Sequence, residues 1–376
     1  MIPFNKPYLT GKEIDYIKDS HLRGHLSGDG YYTKCCSEWL KQFTCSKKAF
    51  LTHSCTGALE IAAILCDIKE GDEIIMPSYT FVSTANAFRL RGGIPVFVDI
   101  RKDTLNIDEK LVEEAITEKT KAIVAVHYAG VPCEMDVLMS LANSYNLILI
   151  EDAAQAIDSS YKGKKLGGIG HIGCFSFHET KNIISGEGGA IILNQERFIE
   201  RAAIIREKGT NRYNFYQGLV DKYTWVDIGS SYLPSEIVSA FLWAQINHIE
   251  KITKRRKEIW MNYENRMNSI KSEKLAYSQK IEDFDQYNAH MYYLILDSKV
   301  NRNQLISHLK ENNICAVFHY IPLHSSPEGL KNSRSVGDLK ITDDISERIV
   351  RLPFWIGVEQ HQSYIVDKIQ EFFNIN

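Results

Sequence analysis

The sequence predicts an α/β fold in which helices cover both faces of a mainly parallel sheet. Between about residues 48 and 193, short β-branched runs alternate with helical patterns, and the runs are almost wholly apolar. Strands that are buried on both faces of a parallel sheet have this composition. Hydrophobic residues make up 44% of the 376 residues, which is enough for a large core. At roughly 150 residues per domain, the length predicts two or three domains.

The elements of this region follow in order along the chain. Strands are predicted over residues 48–52, 73–77, 94–99, 121–126 and 147–152. Helices are predicted between them over residues 56–66, 80–91, 108–116 and 134–145. The dipeptides Gly71-Asp72 and Gly92-Gly93 supply turns at two of the boundaries. Repetition of this kind predicts right-handed crossovers between neighbouring parallel strands.

The pattern changes after residue 152. Two further strands are predicted over residues 173–178 and 189–193, and a short, polar, glycine-rich segment joins them instead of a helix. Strands this close either pair directly or flank a functional loop. Residues 234–267 have one long helical pattern that we interpret as a connector between domains. The rest of the chain, with the runs YYLIL, RNQLISHLKENN and SYIVDKIQEFF, predicts a smaller α+β domain.

Composition excludes several classes of protein. The net charge of −3 argues against a nucleic-acid binder. The N-terminal residues form no signal peptide, and no apolar run approaches the roughly 20 residues of a membrane span, so we expect a cytoplasmic protein without a membrane partner. The eight cysteines are scattered and include no C-x-x-C pair, which predicts reduced thiols and no metal site.

The loop after the first strand, LTHSCTGALE, is one of four features at strand ends, where ligands of open parallel sheets bind. Thr56-Gly57 opens a helix, and backbone N–H groups at such a point can approach a phosphate. An ordinary helix cap formed by Ser54 or Thr56 explains the same residues. Cys55 in this turn is interpreted as a packing residue, and we assign it no role.

The other three features also follow predicted strands. Glu151-Asp152 ends the most apolar strand, where an acid is either a helix cap or a charge with a cationic partner. Lys181 lies in a tight loop after a strand that contains Ser176, and desolvation there would lower the pKa of its amine, as a Schiff-base lysine requires, although a solvated loop lysine is the alternative. Phe81 lies in an aromatic turn that either covers a planar ring or packs in the core.

Together these four features match the requirements of pyridoxal 5′-phosphate. A lysine forms the imine with the cofactor aldehyde, and an acid keeps the pyridine nitrogen protonated so that the ring accepts electrons. A phosphate cradle and an aromatic side chain complete the set. The residues therefore predict a site for this cofactor.

The chain resembles the DegT/StrS group of fold-type-I sugar aminotransferases over essentially its whole length. The stretches that carry the resemblance are LTHSCTGALE, PSYTFVSTANA, VHYAGVPCEMD, EDAAQA, GCFSFHETKN, GEGGA, REKGTNR and FHYIPLH. The resemblance implies a large cofactor-binding domain over residues 1–245, with a sheet between helices, and a smaller α+β domain over residues 246–376.

The resemblance also implies roles for individual residues. Lys181 matches the lysine that binds the cofactor and then moves the substrate proton, and Asp152 matches the partner of the pyridinium nitrogen. Gln155 matches the donor to the phenolic oxygen of the cofactor, and Phe81 the aromatic ring stacked on it. The matches to the phosphate cradle are Thr56, Gly57 and Ser176.

The family works as a homodimer with its active sites at the interface. Many relatives supply an asparagine to the cofactor phosphate of the neighbouring subunit, and Ser231 takes its place here. Residues 208–225 and 319–324 are expected to line the nucleotide-sugar pocket. The expected contacts with the substrate sugar are His178, Glu179, Tyr320 and His324.

The implied reaction is a ping-pong transfer from L-glutamate to a dTDP-4-keto-6-deoxyhexose, giving dTDP-4-amino-4,6-dideoxygalactose and 2-oxoglutarate. Amination at C3 of a dTDP-3-keto-6-deoxyhexose stays open, because it depends on how the hexose lies over the cofactor. Dehydratases of the family have histidine at the lysine position, so Lys181 argues against that activity. A non-catalytic regulator on this fold would be expected to lack Lys181 or Asp152. The glycan that receives the sugar is left open.

Overall fold

A mostly parallel sheet of eight strands forms the centre of the protein. The computed structural model describes residues 1–216 and 218–374. In the order in which they lie side by side, the strands are β1 (Lys48–Thr52), β9 (Gly189–Leu193), β8 (Ile172–Ser176), β5 (Ile148–Asp152), β4 (Thr120–Val126), β2 (Glu73–Pro77), β3 (Ile94–Val98) and β12 (Arg334–Ser335). All neighbouring pairs from β8 to β12 are parallel, whereas β9 runs antiparallel to both β1 and β8. The predicted α/β class is confirmed.

Helices cover both faces of this sheet. They are α1 (Glu13–Leu22), α2 (Tyr31–Thr44), α3 (Cys55–Leu65), α4 (Val82–Arg89), α5 (Glu109–Ala115), α6 (Met135–Ser144), α7 (Ile199–Arg206), α8 (Arg212–Tyr216) and α9 (Glu236–Ile246). Successive strand residues enter opposite cores: Leu149 of β5 packs in one hydrophobic cluster and Ile150 in the other. Burial on both faces explains why the strand sequences contain almost no polar residues.

Side chains at the helix starts explain several boundaries. The Ser54 hydroxyl accepts a hydrogen bond from the Gly57 N–H at 3.0 Å and caps α3. Asp108 caps α5 and Ser235 caps α9 in the same way. Each cap satisfies an N–H group that has no partner within the helix.

A second, smaller sheet lies in the C-terminal part of the chain. Its strands, in order, are β10 (Ala276–Tyr277), β11 (Tyr293–Leu296) and β13 (Ile349–Arg351), all antiparallel. The helices of this part are α10 (Ile249–Arg266), α11 (Asn268–Ser272), α12 (Lys299–Glu311), α13 (Pro327–Asn332), α14 (Lys340–Arg348) and α15 (Gln362–Phe372). A separate hairpin, β6 (Ser160–Tyr161) and β7 (Lys164–Lys165), follows β5. Short 3-10 turns span Tyr128–Gly130, Glu196–Phe198 and Val358–His361.

Three predicted boundaries are wrong. The single helix over residues 234–267 is two helices, because the chain leaves helical geometry at His248 (φ −118°, ψ 12°) between α9 and α10. The helix predicted from residue 80 begins at Val82, since the preceding turn has extended backbone at Phe81. The strand predicted to residue 178 ends at Ser176, where the chain turns into the loop that joins β8 to β9.

The division at residues 245 and 246 stays a prediction, and residues 375–376 lie outside the described part. Two segments cross that division. Ile2 pairs with Ile314 in the C-terminal part, and the short strand β12 joins the edge of the large sheet beside β3. In the described part of the chain, no helix is both long and apolar enough to span a membrane.

Candidate functional site

The predicted site residues lie at one edge of the central sheet. The parallel strands β1, β5 and β8 end there at Thr52, Asp152 and Ser176. The antiparallel strand β9 begins at the same edge, because Gly189 pairs with both Thr52 and Ser176. The loops that follow these strands therefore converge, although they are far apart in sequence.

Lys181 lies in the loop between β8 and β9. Its backbone N–H donates to the His178 carbonyl at 2.9 Å, and Ser185 N–H donates to the Phe177 carbonyl at 2.7 Å, which closes the loop tightly. Burial lowers the pKa of the Lys181 amine below its usual value, and the nearby charge of Asp152 opposes this effect. A lowered pKa makes the unprotonated amine, the nucleophilic form, more accessible at neutral pH.

The two acids at the end of β5 point to opposite faces. The Thr84 hydroxyl donates to Asp152 Oδ2 at 2.7 Å, and the Ala154 N–H donates to Oδ1 at 3.2 Å. Glu151 on the other face is fully buried and accepts three backbone N–H bonds from residues 167–170, with His127 Nε2 at 3.0 Å. The charge of Asp152 acts on the Lys181 amine, whereas Glu151, on the other face, holds a structural loop.

The start of α3 forms a compact turn beside β9. The Thr56 hydroxyl donates to the Ser83 hydroxyl at 2.8 Å, and Gly57 packs against His53 and Tyr232. A Cβ on Gly189 would lie 2.4 Å from the Cys55 nitrogen, so only glycine lets β9 approach this turn. The close approach brings the Thr56 turn and Ser176 to the two sides of Gly189.

Gln155 and Phe81 meet at Tyr320. The Gln155 side chain accepts a hydrogen bond from the Ala129 N–H at 2.6 Å and donates to the Tyr320 hydroxyl at 3.0 Å. The Phe81 ring is 56% exposed, and its centroid lies 6.3 Å from that of Tyr320. Burial raises the pKa of the Tyr320 phenol, so it stays protonated at neutral pH. Tyr320, which is itself a predicted sugar contact, thus lies next to the predicted cofactor contacts Gln155 and Phe81.

The other predicted sugar contacts have local partners. His178 Nδ1 lies 2.9 Å from the Thr180 hydroxyl, and the neighbouring Glu179 side chain is exposed. His324 Nδ1 lies 2.8 Å from the Ser78 hydroxyl, and its Nε2 lies 3.3 Å from Asp343. These partners fix His324 beside the turn after β2, whereas the His178 loop faces outward.

Ser231 directly precedes Tyr232, which packs on Gly57. It is exposed and lies in the wall of a separate cleft of about 1120 Å³ at the open edge of β1. Basic side chains line much of that cleft, namely Lys34, Lys41, Lys48, Arg206, Lys208 and Arg212. The predicted nucleotide-pocket segment 208–225 reaches this cleft at Lys208, Arg212 and Tyr213, and its residue 217 lies outside the described residues.

Sequence reasoning missed a buried network behind Lys181. The Asn182 side chain donates to the Asn288 carbonyl at 2.9 Å and lies 2.8 Å from His290 Nδ1. The Asn288 side chain donates in turn to the Gln155 carbonyl at 2.8 Å. Its members come from chain segments more than 100 residues apart, and no local pattern marks them. The one available signal was the position of Asn182 directly after Lys181.

Comparison with known proteins identifies the class of this fold and site. The model of the DegT/DnrJ/EryC1/StrS aminotransferase family matches residues 7–370. GDP-perosamine synthase of Escherichia coli O157:H7 is 31% identical over 375 residues, which cover 99% of each chain. The structure of Helicobacter pylori PseC, an aminotransferase involved in the biosynthesis of pseudoaminic acid, superposes with a TM-score of 0.89 at 26% identity over 99% of both chains. The PLP-form of Spr1654 from Streptococcus pneumoniae superposes with a TM-score of 0.88 at 25% identity, over 99% of this chain and 98% of that one.

The chain belongs to the DegT/DnrJ/EryC1/StrS aminotransferase family and has the aminotransferase fold of type I. It is a sugar aminotransferase of that family, and its cofactor is pyridoxal 5′-phosphate, as predicted. The residues at the sheet edge fit this cofactor. A partly buried lysine with a lowered pKa, a carboxylate whose charge acts on it and a turn packed closely on Gly189 supply the chemistry that the cofactor requires.

Proposed function

We propose that the protein transfers the amino group of L-glutamate to C4 of a dTDP-4-keto-6-deoxyhexose, giving dTDP-4-amino-4,6-dideoxygalactose and 2-oxoglutarate. The observation that carries the proposal is the Lys181 amine in the loop after β8, whose pKa is lowered by burial and on which the charge of the Asp152 carboxylate at the end of β5 acts. A regulator without catalytic function would have no need of this pair. The bound cofactor supplies an electron sink that makes a proton on the neighbouring substrate carbon removable.

Lys181 is proposed to hold the cofactor and then to move the proton on the substrate carbon. Because burial lowers its pKa, the Lys181 amine loses its proton more readily than the amine of a solvated lysine. It can therefore take the substrate proton as a base and return it as an acid. Asp152 is proposed to stabilise the protonated ring nitrogen. The hydrogen bond from Thr84 fixes the orientation of its carboxylate.

The other cofactor contacts are proposed from the same edge. Gln155 has an amide that can turn from Tyr320 toward the phenolic oxygen of the cofactor. Phe81 is exposed and free to cover the ring. The proposed phosphate contacts are Thr56, Gly57 and Ser176.

A homodimer is proposed to complete the site. Ser231 is exposed in the basic cleft, so its hydroxyl is available to the cofactor phosphate of a partner subunit. His178, Glu179, Tyr320 and His324 are proposed to contact the sugar. Among these, the exposed loop of His178 and Glu179 is the part left open to a large substrate.

The dTDP group is supported by sequence similarity. The stretches IPFNKP, SFHETKN, KGTNR and DKYTWVDIGSSYL resemble the transaminase that makes dTDP-4-amino-4,6-dideoxygalactose for enterobacterial common antigen. A GDP-linked keto sugar is the second candidate, because one relative that aligns over 99% of the chain is a GDP-perosamine synthase. Amination at C3 is the third.

Two experiments test the proposal. Borohydride treatment of the holoenzyme, followed by peptide mass spectrometry, should place the reduced cofactor on Lys181. Lys181→Ala should lower turnover by at least about 10²–10⁴-fold, the contribution of a general acid and base, while the variant still binds the nucleotide sugar. Normal turnover by this variant would refute the assignment.

The substrate is tested by incubating the enzyme with L-glutamate and either dTDP-4-keto-6-deoxyglucose or its GDP-linked counterpart. NMR of the product reads both the aminated carbon and its stereochemistry. A 4-amino galacto product from the dTDP sugar supports the proposal. Conversion of the GDP sugar alone, or amination at C3, would replace it with the corresponding alternative.

A further inference from the structure

Arg351 is the last residue of β13, and its side chain faces the large sheet rather than the core of the small one. Arg351 pairs with Tyr293 on β11, and directly paired residues share a face of a sheet. Tyr293 packs with Tyr79 and Tyr128 of the large sheet, whereas the alternate residue Val350 packs in the C-terminal core. Arg351 therefore stands on the face that meets the Lys181 site.

The Arg351 guanidinium has no anionic partner in the described part of the chain. Its Nε is buried without a hydrogen bond, and no ion pair or side-chain hydrogen bond involves the group among the described residues. The ring of Phe4 packs against it, with its centroid 4.7 Å from the guanidinium carbon. By contrast, Arg256 donates to two backbone carbonyls and Arg206 donates to both oxygens of Asp29.

Two observations connect this guanidinium with the Lys181 site: its charge acts on Lys181, and the chain segment that packs against it contacts the Lys181 loop. The positive charge of Arg351 adds to burial in lowering the pKa of His290 and of His319, and it also lowers that of Lys181. The residue after Phe4 is Asn5, whose side chain donates to the backbone carbonyl in the Lys181 loop at position 179, at 3.4 Å. The chain segment that covers Arg351 thus also touches the catalytic loop.

We propose that Arg351 binds the α-carboxylate of the amino donor. The planar guanidinium offers a pair of donors that matches a carboxylate, and a partly buried cation without a counterion favours an anion at that place. This inference rests on the proposed function, because it assigns a substrate contact to the same site.

The position near Lys181 favours a carboxylate over the diphosphate of the nucleotide sugar. In an α-amino acid, the carboxylate is attached to the carbon that carries the amine, so both groups reach Lys181 and Arg351 together. In a 4-keto sugar nucleotide, the diphosphate is on C1, across the hexose ring from the reacting carbon. The diphosphate is the alternative occupant, and the two anions can be told apart by experiment.

The first test is binding of 2-oxoglutarate to the purified holoenzyme by titration calorimetry, which needs no turnover. Arg351→Met should weaken binding about 100-fold, which corresponds to about 2.8 kcal/mol, and Arg351→Lys should recover part of it. Arg348→Met is the matched control, because Arg348 pairs with Asp344 at the end of α14. Unchanged affinity in Arg351→Met, or no binding by the wild type, would overturn the inference.

The second test separates the two half-reactions by stopped-flow spectroscopy. Arg351→Met should slow amine uptake from L-glutamate about 100-fold, while uptake from the amino sugar in the reverse direction changes by less than about twofold. Equal loss in both directions would show a structural role, and loss with the amino sugar alone would show a diphosphate contact. Either result would overturn the inference. A wild type that binds 2-oxoglutarate through Arg351 but transfers no amine would instead count against the proposed function.

Discussion

Comparing Thr84→Val with Thr80→Val should isolate the hydrogen bond that orients Asp152, because Thr84→Val removes both that bond and the bond between Thr80 and Thr84. The Thr84 hydroxyl is fully buried and donates to Oδ2 of the carboxylate at 2.7 Å, and Asp152 is 6% exposed. Valine has nearly the same shape, so the change removes the hydroxyl without leaving a cavity. Among the residues that the structure describes, the carboxylate then keeps only the longer bond from the Ala154 N–H, at 3.2 Å.

The size of the effect follows from the charge of the acceptor. A hydrogen bond to a charged group contributes about 1.5–3 kcal/mol, so Thr84→Val should lower the free energy of unfolding of the apoprotein by that amount. Thr80→Val is the control. The Thr84 hydroxyl has one proton, and it donates that proton to Asp152, so in the hydrogen bond of 2.9 Å between Thr80 and Thr84 the donor is Thr80. This bond joins two neutral groups and contributes about 0.5–1.5 kcal/mol to the free energy of unfolding.

Urea unfolding of the apoprotein and fluorescence titration with pyridoxal 5′-phosphate measure the two consequences. The dissociation constant of the cofactor should rise about tenfold for each 1.4 kcal/mol by which a mobile carboxylate weakens ring binding. Asp152→Asn combined with Thr84→Val should be less harmful than the sum of the two changes, because they act on one bond. Equal effects of Thr84→Val and Thr80→Val on both readouts would refute the reasoning.

Two other predictions concern the cofactor turn and the pH dependence of stability. In Gly189→Ala, the new Cβ would lie 2.4 Å from the Cys55 nitrogen and must displace the turn. The change should therefore lower the free energy of unfolding by about 1–3 kcal/mol and weaken binding of pyridoxal 5′-phosphate in a fluorescence titration. Unchanged affinity for the cofactor would contradict this prediction. Hydrogen bonds from Arg334 hold the pKa of Glu73 below its usual value, so the pair stabilises the fold above about pH 4.5 and the stabilisation is lost as the pH falls through the lowered pKa. Arg334→Met should therefore cost about 1–2 kcal/mol in urea unfolding at pH 7 and progressively less in acid, whereas a constant difference would count against the ion pair.

Much of the cofactor site could be predicted because its residues lie in short segments directly after strands. Asp152, Ser176 and Lys181 belong to β5, β8 and the loop that follows, and parallel strands bring their carboxyl ends to one edge. The order of the apolar runs along the chain was therefore sufficient to predict that these three residues lie near one another. Thr84 was missed because it lies inside a helix, where nothing local distinguishes a threonine that bonds to a carboxylate from one that packs.

The boundary at His248 shows a different limit. Residues 234–267 have a continuous helical pattern, and neither proline nor glycine interrupts the stretch between α9 and α10. Ile246 and Ile252, on either side of the break, pack in the same core of the large sheet, whereas Ile259 and Trp260, further along α10, belong to the core of the C-terminal part. The periodic apolar pattern therefore continues across the break, and the pattern alone could not place the end of α9.

The sequence by itself determined the α/β class, the strands and the identity of the lysine and acid, because these depend on local composition and on the geometry of parallel sheets. Only the tertiary structure showed which other buried groups surround the lysine and the acid. The Asn182, Asn288 and His290 network joins segments more than 100 residues apart, and Arg351 packs against Phe4 from the other end of the chain. Contacts across such distances carry no local signature, since the burial and charge that define them exist only after the chain has folded.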